Sequence, residues 1–385
     1  MNKPQRKAGP ILIAGMLLLY GPATPVFSVI ADDARRAADL LVANQSVAGD
    51  WNEFGLEGEI IAGLENAFRR YGDASHRAAA ETGGSYLLAR DGFNGSQYTV
   101  ALPFAAEAYA LARLAQRDPA TWLVPASTIF SQARSVFGST NAYIDANIDF
   151  HLNTLGNPIH IAVYDIARQA VAAKIVDDVD RDVYRTRLMQ HLADVSDDGA
   201  DPSVFALGAS VWALARTGPL DSTLLSGSSP VLNGRTLAEL PDLLVGHQVV
   251  NPADGTPGDF YWRFDHIGAP PAGITDATTM AALGLIAAQR ADPLAYDYTG
   301  RIASVIQVVA NGIDTGGEAY FLVGDPQFGG GNVYAGETLE VLPEPGTITL
   351  VVIAALAMIR RRKRSAVSFQ RSACGVSSLP RSALP

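Results

Sequence analysis

Six side chains in this 385-residue chain have the types and positions that acid–base chemistry requires: Glu57, Glu59, Tyr98, His160, Asp276 and Glu337. Each stands at or near the start of an apolar segment with helical spacing. Glycoside hydrolysis needs two carboxyl groups flanking one bond, one acting as general acid and the other as base or nucleophile. Glu59 and Glu337 are the pair expected to meet if the last apolar segment returns to the first. The alternative assignment is structural: the same groups cap helices and bind water in the mouth of a polar cavity.

Other conspicuous groups have weaker claims. Asp265-His266 beside Trp262 has the makings of a sugar-stacking and acid–base site, and equally of a loop-shaping cluster. His151 and His160 are separated by Gly156-Asn157-Pro158 and are not expected to share a metal, while His191 and His247 read as surface or junction residues. The run Gly329-Gly330-Gly331 lacks the Lys-Ser/Thr that completes a phosphate loop. The single cysteine, Cys374, lies near the C-terminus, and no His/Asp grouping has ligand spacing. Neither a metal nor a cofactor is expected.

Positioning these residues falls to a series of paired helices. First members are predicted at 32–44, 75–90, 126–147, 182–195, 236–249 and 298–309. Second members are predicted at 57–71, 97–116, 158–175, 202–217, 275–290 and 333–342. Asp201-Pro202 and Asn157-Pro158 place a capping side chain before a proline at the first helical position. Gly218-Pro219 stops the helix carrying Trp212, and Arg216 complements the dipole at its end. The second members are apolar nearly all round, as in Val204–Leu214, so they should be buried on more than one side. The charges fall on the first members. Six repeats of a polar outer helix and a buried inner helix predict an all-α (α/α)6 toroid. The open alternatives are a helical solenoid or two bundles. Closure is favoured because Leu56–Leu64 parallels Tyr334–Leu342, with Gly58-Glu59 answering Gly336-Glu337.

Arg36–Trp51 also resembles the QW repeat of terpenoid-cyclase and prenyltransferase-like toroids, with Gln45, Gly49 and Trp51 at the repeat's positions and Leu40 where the family has an aromatic. Leu244–Gln248 followed by Gly258–Trp262 is similar to an expanded second copy, and Tyr86-Leu87 with Gly92-Phe93 to a degraded third. The resemblance implies that Gln45 bonds the end of the next helix while Trp51 packs across the repeat junction. It does not bring cyclase activity, because the Asp-x-Asp-Asp acid of squalene-type cyclases is missing and aromatic residues make up only 8% of the chain. Polysaccharide lyases and glycosidases are the other enzymes built on such rings.

The two ends carry address information. Lys3, Arg6 and Lys7 precede the apolar stretch Ile11–Tyr20, and Val29 and Ala31 place small residues before Asp32, predicting a signal peptide at 1–31. At the other end, Pro343-Glu344-Pro345 is followed by the uncharged run Thr347–Ile359 and then Arg360-Arg361-Arg362-Lys363-Arg364. Proline denies the first part regular hydrogen bonding, the run is short for a membrane span, and the cations should stay cytoplasmic. This order resembles the PEP-CTERM sorting signal, also known as the ice-binding protein C-terminal domain. It implies an exosortase-type processing partner and a transient membrane anchor at 343–364. Residues 365–385 should be disordered.

Between Asp32 and Glu344 lie all 39 Asp and Glu but only 19 Lys and Arg, so the predicted body, 32–342 with its flank, carries a net charge of −20. Lys174 is its only lysine. Such a surface repels phosphate backbones, and nucleic acid is not an expected partner. Lacking cysteine, the body must be stabilised by burial alone. These features predict an exported, surface-sorted binding or matrix protein, with extracellular polysaccharide as a candidate partner. A carbohydrate-active enzyme is the alternative, and a degenerate terpenoid-cyclase relative the third.

Overall fold

The computed structural model describes residues 25–51, 57–91, 101–155, 159–195, 203–250, 260–261, 275–313, 316 and 332–341. Among these the chain is all-α, apart from a two-residue antiparallel pairing of Val249–Val250 with Phe260–Tyr261. Thirteen helices follow in order: α1 (Pro25–Asn44), α2 (Glu57–Tyr71), α3 (Ala74–Asp91), α4 (Ala101–Arg117), α5 (Pro119–Phe137), α6 (Thr140–Asp149) and α7 (Ile159–Ile175). They continue with α8 (Arg181–Leu192), α9 (Val204–Thr217), α10 (Leu240–Gly246), α11 (Thr275–Ala291), α12 (Thr299–Asn311) and α13 (Asn332–Val341).

Local chemistry accounts for the boundaries and for three departures from the sequence-based expectation. The helix expected at 126–147 is two helices. Gly138 adopts a left-handed conformation (φ 83°) that ends α5, and the Ser139 hydroxyl accepts from the Ala142 N–H to start α6. The helix expected at 236–249 shrinks to a 3-10 turn, Leu237–Glu239, and the short α10. Here Glu239 accepts from the Thr236 N–H and hydroxyl in a capping box, and Pro241 sits in the first turn of α10. Third, α1 begins at Pro25 rather than Asp32, and Ile30 is part of the core. Elsewhere the turns are tight. Asp118 alone joins α4 to α5 and caps the latter through Thr121, while Ser203 caps α9 through Ala206.

Six helices are the buried ones. α2 packs on α4, α4 on α7, α7 on α9, α9 on α11, α11 on α13, and α13 returns to α2. Two of these seams depend on glycine. A Cβ on Gly63 would lie 2.3 Å from the Gly336 carbonyl oxygen, and one on Gly208 would lie 2.6 Å from the Met280 carbonyl carbon. The backbones of α2 and α13, and of α9 and α11, therefore approach more closely than any side chain allows. Six of the remaining helices lie against this circuit: α1 on α13 and α2, α3 on α2, α5 on α4, α8 on α7, α10 on α9 and α11, and α12 on α11; α6 packs chiefly on α5 and α8.

The segment resembling a QW repeat joins α1 to the circuit. Gln45 donates to the Ala79 carbonyl at 2.9 Å and to the Gly49 carbonyl at 3.0 Å. The first contact lies within α3, not at the end of a helix as expected. Trp51 is buried; its indole N–H donates to the Leu41 carbonyl at 2.7 Å, and its ring fills the space beside Gly83. Gly49 takes φ 101° against the Thr82 backbone. The second copy's Gly258 and Trp262 and the third copy's Gly92 and Phe93 lie outside the described residues, as do the sorting residues Pro343, Glu344, Pro345, Arg360, Arg361 and Arg362. Among the described residues no helix is long and apolar enough to cross a membrane.

Candidate functional site

Two adjoining polar centres occupy the inside of the helix circuit and share Tyr109, Trp212 and Glu340, one gathered around Arg168 and the other at the C-terminal ends of the helices. The first is organised by Arg168, a buried guanidinium on α7. Its side chain is only 1% exposed and lies between the rings of Tyr109 (α4) and Tyr164, at 5.0 and 4.8 Å from their centroids. Its Nε donates to the Tyr164 hydroxyl at 2.6 Å, which in turn donates to Glu59 Oε1 at 3.0 Å. Nη1 donates to Glu340 Oε1 at 3.1 Å, and the Tyr109 hydroxyl donates to the other Glu340 oxygen at 3.2 Å. Phe205 stacks on Tyr164 and Trp212 meets Tyr109 edge-on, so α9 supplies aromatic walls. One cation thus holds two carboxyl groups from opposite sides of the seam between α2 and α13.

Burial raises the Glu59 carboxyl to about 7, against the pull of Arg168 and the Tyr164 hydrogen bond; Glu340 adds a further push upward. Its Oε2 has no hydrogen-bond partner among the described residues. A group in this setting is half-protonated near neutrality, which a general acid requires. Burial, with the charges of Glu59, Glu337 and Glu340, keeps the Tyr164 phenol well above its ordinary range, so it remains a donor.

The candidates named from sequence divide accordingly. Glu59 and Glu337 both bear on Tyr164 and both are buried. The backbone of Gly336, next to Glu337, packs on that of Glu59, where a Cβ on the glycine would lie 2.9 Å from the Glu59 carbonyl oxygen. Glu57 faces elsewhere: Arg90 of α3 reaches it at 3.2 Å and also pairs with Glu107 of α4. His160 is buried one turn before Tyr164. Tyr98 lies outside the described residues, as does the side chain of Asp276 in the first turn of α11. His151, in the π-helical turn Phe150–Leu155, pairs with Asp165 at 2.9 Å and is buried apart from the Glu59 network.

Sequence reasoning passed over Arg168, Tyr164, Tyr109 and Glu340, the groups that tie the network together. A usable signal existed: Tyr164 and Arg168 are spaced i, i+4 in a largely apolar helix, and a charge buried there must find partners inside.

At the other centre the last turns of the inner helices surround a cavity of about 50 Å³. Asn66, Arg113, Arg216 and Arg290 line it from α2, α4, α9 and α11, together with Trp212 and Glu340. Arg113 is buried and is held by Gln116 at 3.0 Å and Asn66 at 3.5 Å.

One trio has metal-ligand spacing among the described residues: Asp39, Asp73 and His76 place donor atoms within 4.8 Å of one another, where none was expected. Each has a structural role already. Asp39 accepts from His76 at 2.8 Å, and Asp73 receives Ser75 at the start of α3 and Arg35 at 3.1 Å. The other ring nitrogen of His76, Nδ1, is buried without a partner. Metal-bound histidines normally donate that second N–H to a carboxylate or carbonyl, so the trio lacks the support a metal centre has.

Comparison with known proteins gives no match: no family model, no curated protein and no solved structure.

Proposed function

We propose that this chain is an exported protein whose body is a closed (α/α)6 toroid that binds a ligand without transforming it, and that its Pro343-Glu344-Pro345 segment sorts it to the cell surface. Support for the ring comes from the circuit of contacts through α2, α4, α7, α9, α11 and α13, and from the Gly63–Gly336 seam that brings its ends together. The observation that carries the binding reading is the engagement of Arg168. Paired-carboxylate hydrolysis needs two acids facing a substrate some 5–10 Å apart. Here Glu59 and Glu340 face one guanidinium instead, enclosed by Tyr109 and Tyr164. Exosortase-type machinery is the sorting partner, the apolar run Thr347–Ile359 the transient membrane anchor, and extracellular polysaccharide the class of ligand.

Changing both Pro343 and Pro345 to Ala tests the sorting half. The variant should stay in the inner membrane at a higher mass than the released wild type. Unchanged release and mass would overturn it.

A second reading, an extracellular carbohydrate-active enzyme, is favoured by one observation: Glu59 is poised near neutral pH with an unpartnered oxygen. On that reading Glu59 is the general acid, and Glu59→Gln abolishes release of reducing ends from polysaccharide. If the wild type releases none, the binding reading stands.

A further inference from the structure

The cavity at the C-terminal ends of the inner helices is unusual for where it lies. Helix C-termini present unsatisfied carbonyls and a partial negative charge, which disfavours anions. Arg216 and Arg290, exposed in the last turns of α9 and α11, are the ordinary response to that field. Arg113 is different. It lies a turn before the end of α4, is 7% exposed, and faces the cavity from within. Gln116 and Asn66 fix its two terminal nitrogens, and its Nε is buried without a partner. A buried guanidinium donor left unpaired costs stability, and compensating a dipole does not require one. The carboxylate in the lining, Glu340, is already held by Arg168 and Tyr109. Arg113, Arg216 and Arg290 all line this cavity of about 50 Å³, in a body whose net charge is −20.

We infer that this cavity binds a carboxylate, presented by the acidic sugar of a uronate-containing saccharide. A planar carboxylate accepts two parallel hydrogen bonds from a guanidinium, which is the recognition an arginine lining offers. Trp212 and Tyr109 supply the apolar wall on which the attached ring would rest. Choosing a saccharide as the carrier rests on the binding reading above; the carboxylate itself rests on the cavity.

The test is calorimetric titration of the full-length protein, in mild detergent, with sodium glucuronate, glucose, acetate and inorganic phosphate in turn. Glucuronate should bind, glucose should not, and acetate should bind at least ten-fold more weakly than glucuronate. Arg216→Ala, at an exposed position, should keep the wild-type unfolding midpoint and weaken glucuronate at least ten-fold. Arg113→Lys should do the same to binding, since a point charge cannot form the paired contact. Equal heats from glucuronate and glucose, phosphate binding as tight as glucuronate, or affinity unmoved in Arg216→Ala would each overturn the assignment. Glucuronate binding without retention on a uronate polymer such as alginate would uphold the cavity and sink the matrix role. Retention on alginate with no glucuronate heat would sink the cavity and leave the matrix role to another surface.

Discussion

Replacing Glu59 by Gln should flatten the dependence of folding stability on pH. In the folded protein the Glu59 carboxyl is raised from 4.5 to about 7, chiefly by burial. A raised acid holds its proton more tightly folded than unfolded, so its contribution is present at low pH and is lost as pH rises from about 4.5 through about 7. The whole shift corresponds to about 3 kcal/mol, most of which falls between pH 5 and pH 8. Gln keeps the shape and accepts from Tyr164 without titrating. Urea denaturation of wild type and Glu59→Gln at pH 5 and pH 8 isolates the effect, because every other titrating group is common to both proteins. The wild type should lose about 2–3 kcal/mol more than the variant between the two pH values, and the variant should be at least as stable at pH 8. Parallel pH profiles would refute the claim that Glu59 is a buried, partly protonated acid.

Three further perturbations probe the same framework. Arg168→Met should destabilise the fold by about 3–5 kcal/mol at pH 8 by leaving two buried carboxyl groups without their cation; a loss under about 1 kcal/mol in urea would show that the network is not structural. Gly63→Ala should cost about 3 kcal/mol or prevent folding, since the added methyl would sit 2.3 Å from the Gly336 oxygen, and an unchanged thermal midpoint would argue against the α2–α13 seam. Trp51→Phe removes the hydrogen bond to the Leu41 carbonyl while keeping an aromatic ring, and should cost about 1–2 kcal/mol by calorimetry.

How far the sequence could be read varied with the range of the interaction involved. Inner helices such as α9 were legible because residues 204–214 are apolar without a charged face, and burial on several sides follows from that. The break between α5 and α6 was less visible, since one glycine in a long helical pattern is as often tolerated as not; its left-handed φ decides the matter only in three dimensions. The packing of α2 on α13 is legible from the echo of the first pair in the last. The cation shared by Glu59 and Glu340 is not, because Tyr164 and Arg168 lie more than 100 residues from either and no local pattern links them. The basic cavity was harder still. Arg113, Arg216 and Arg290 each look like an ordinary cation at the end of its own helix, and only the packing of α4, α9 and α11 brings them to one cavity.

The most direct test of binding without transformation is to pass the full-length protein over immobilised acidic polysaccharide while assaying the eluate for reducing ends and unsaturated sugars. Retention that is displaced by glucuronate, with no sugar released over many hours, is the predicted result. Release of either kind of product, abolished in Glu59→Gln, would contradict it and make the Glu59 network an active site.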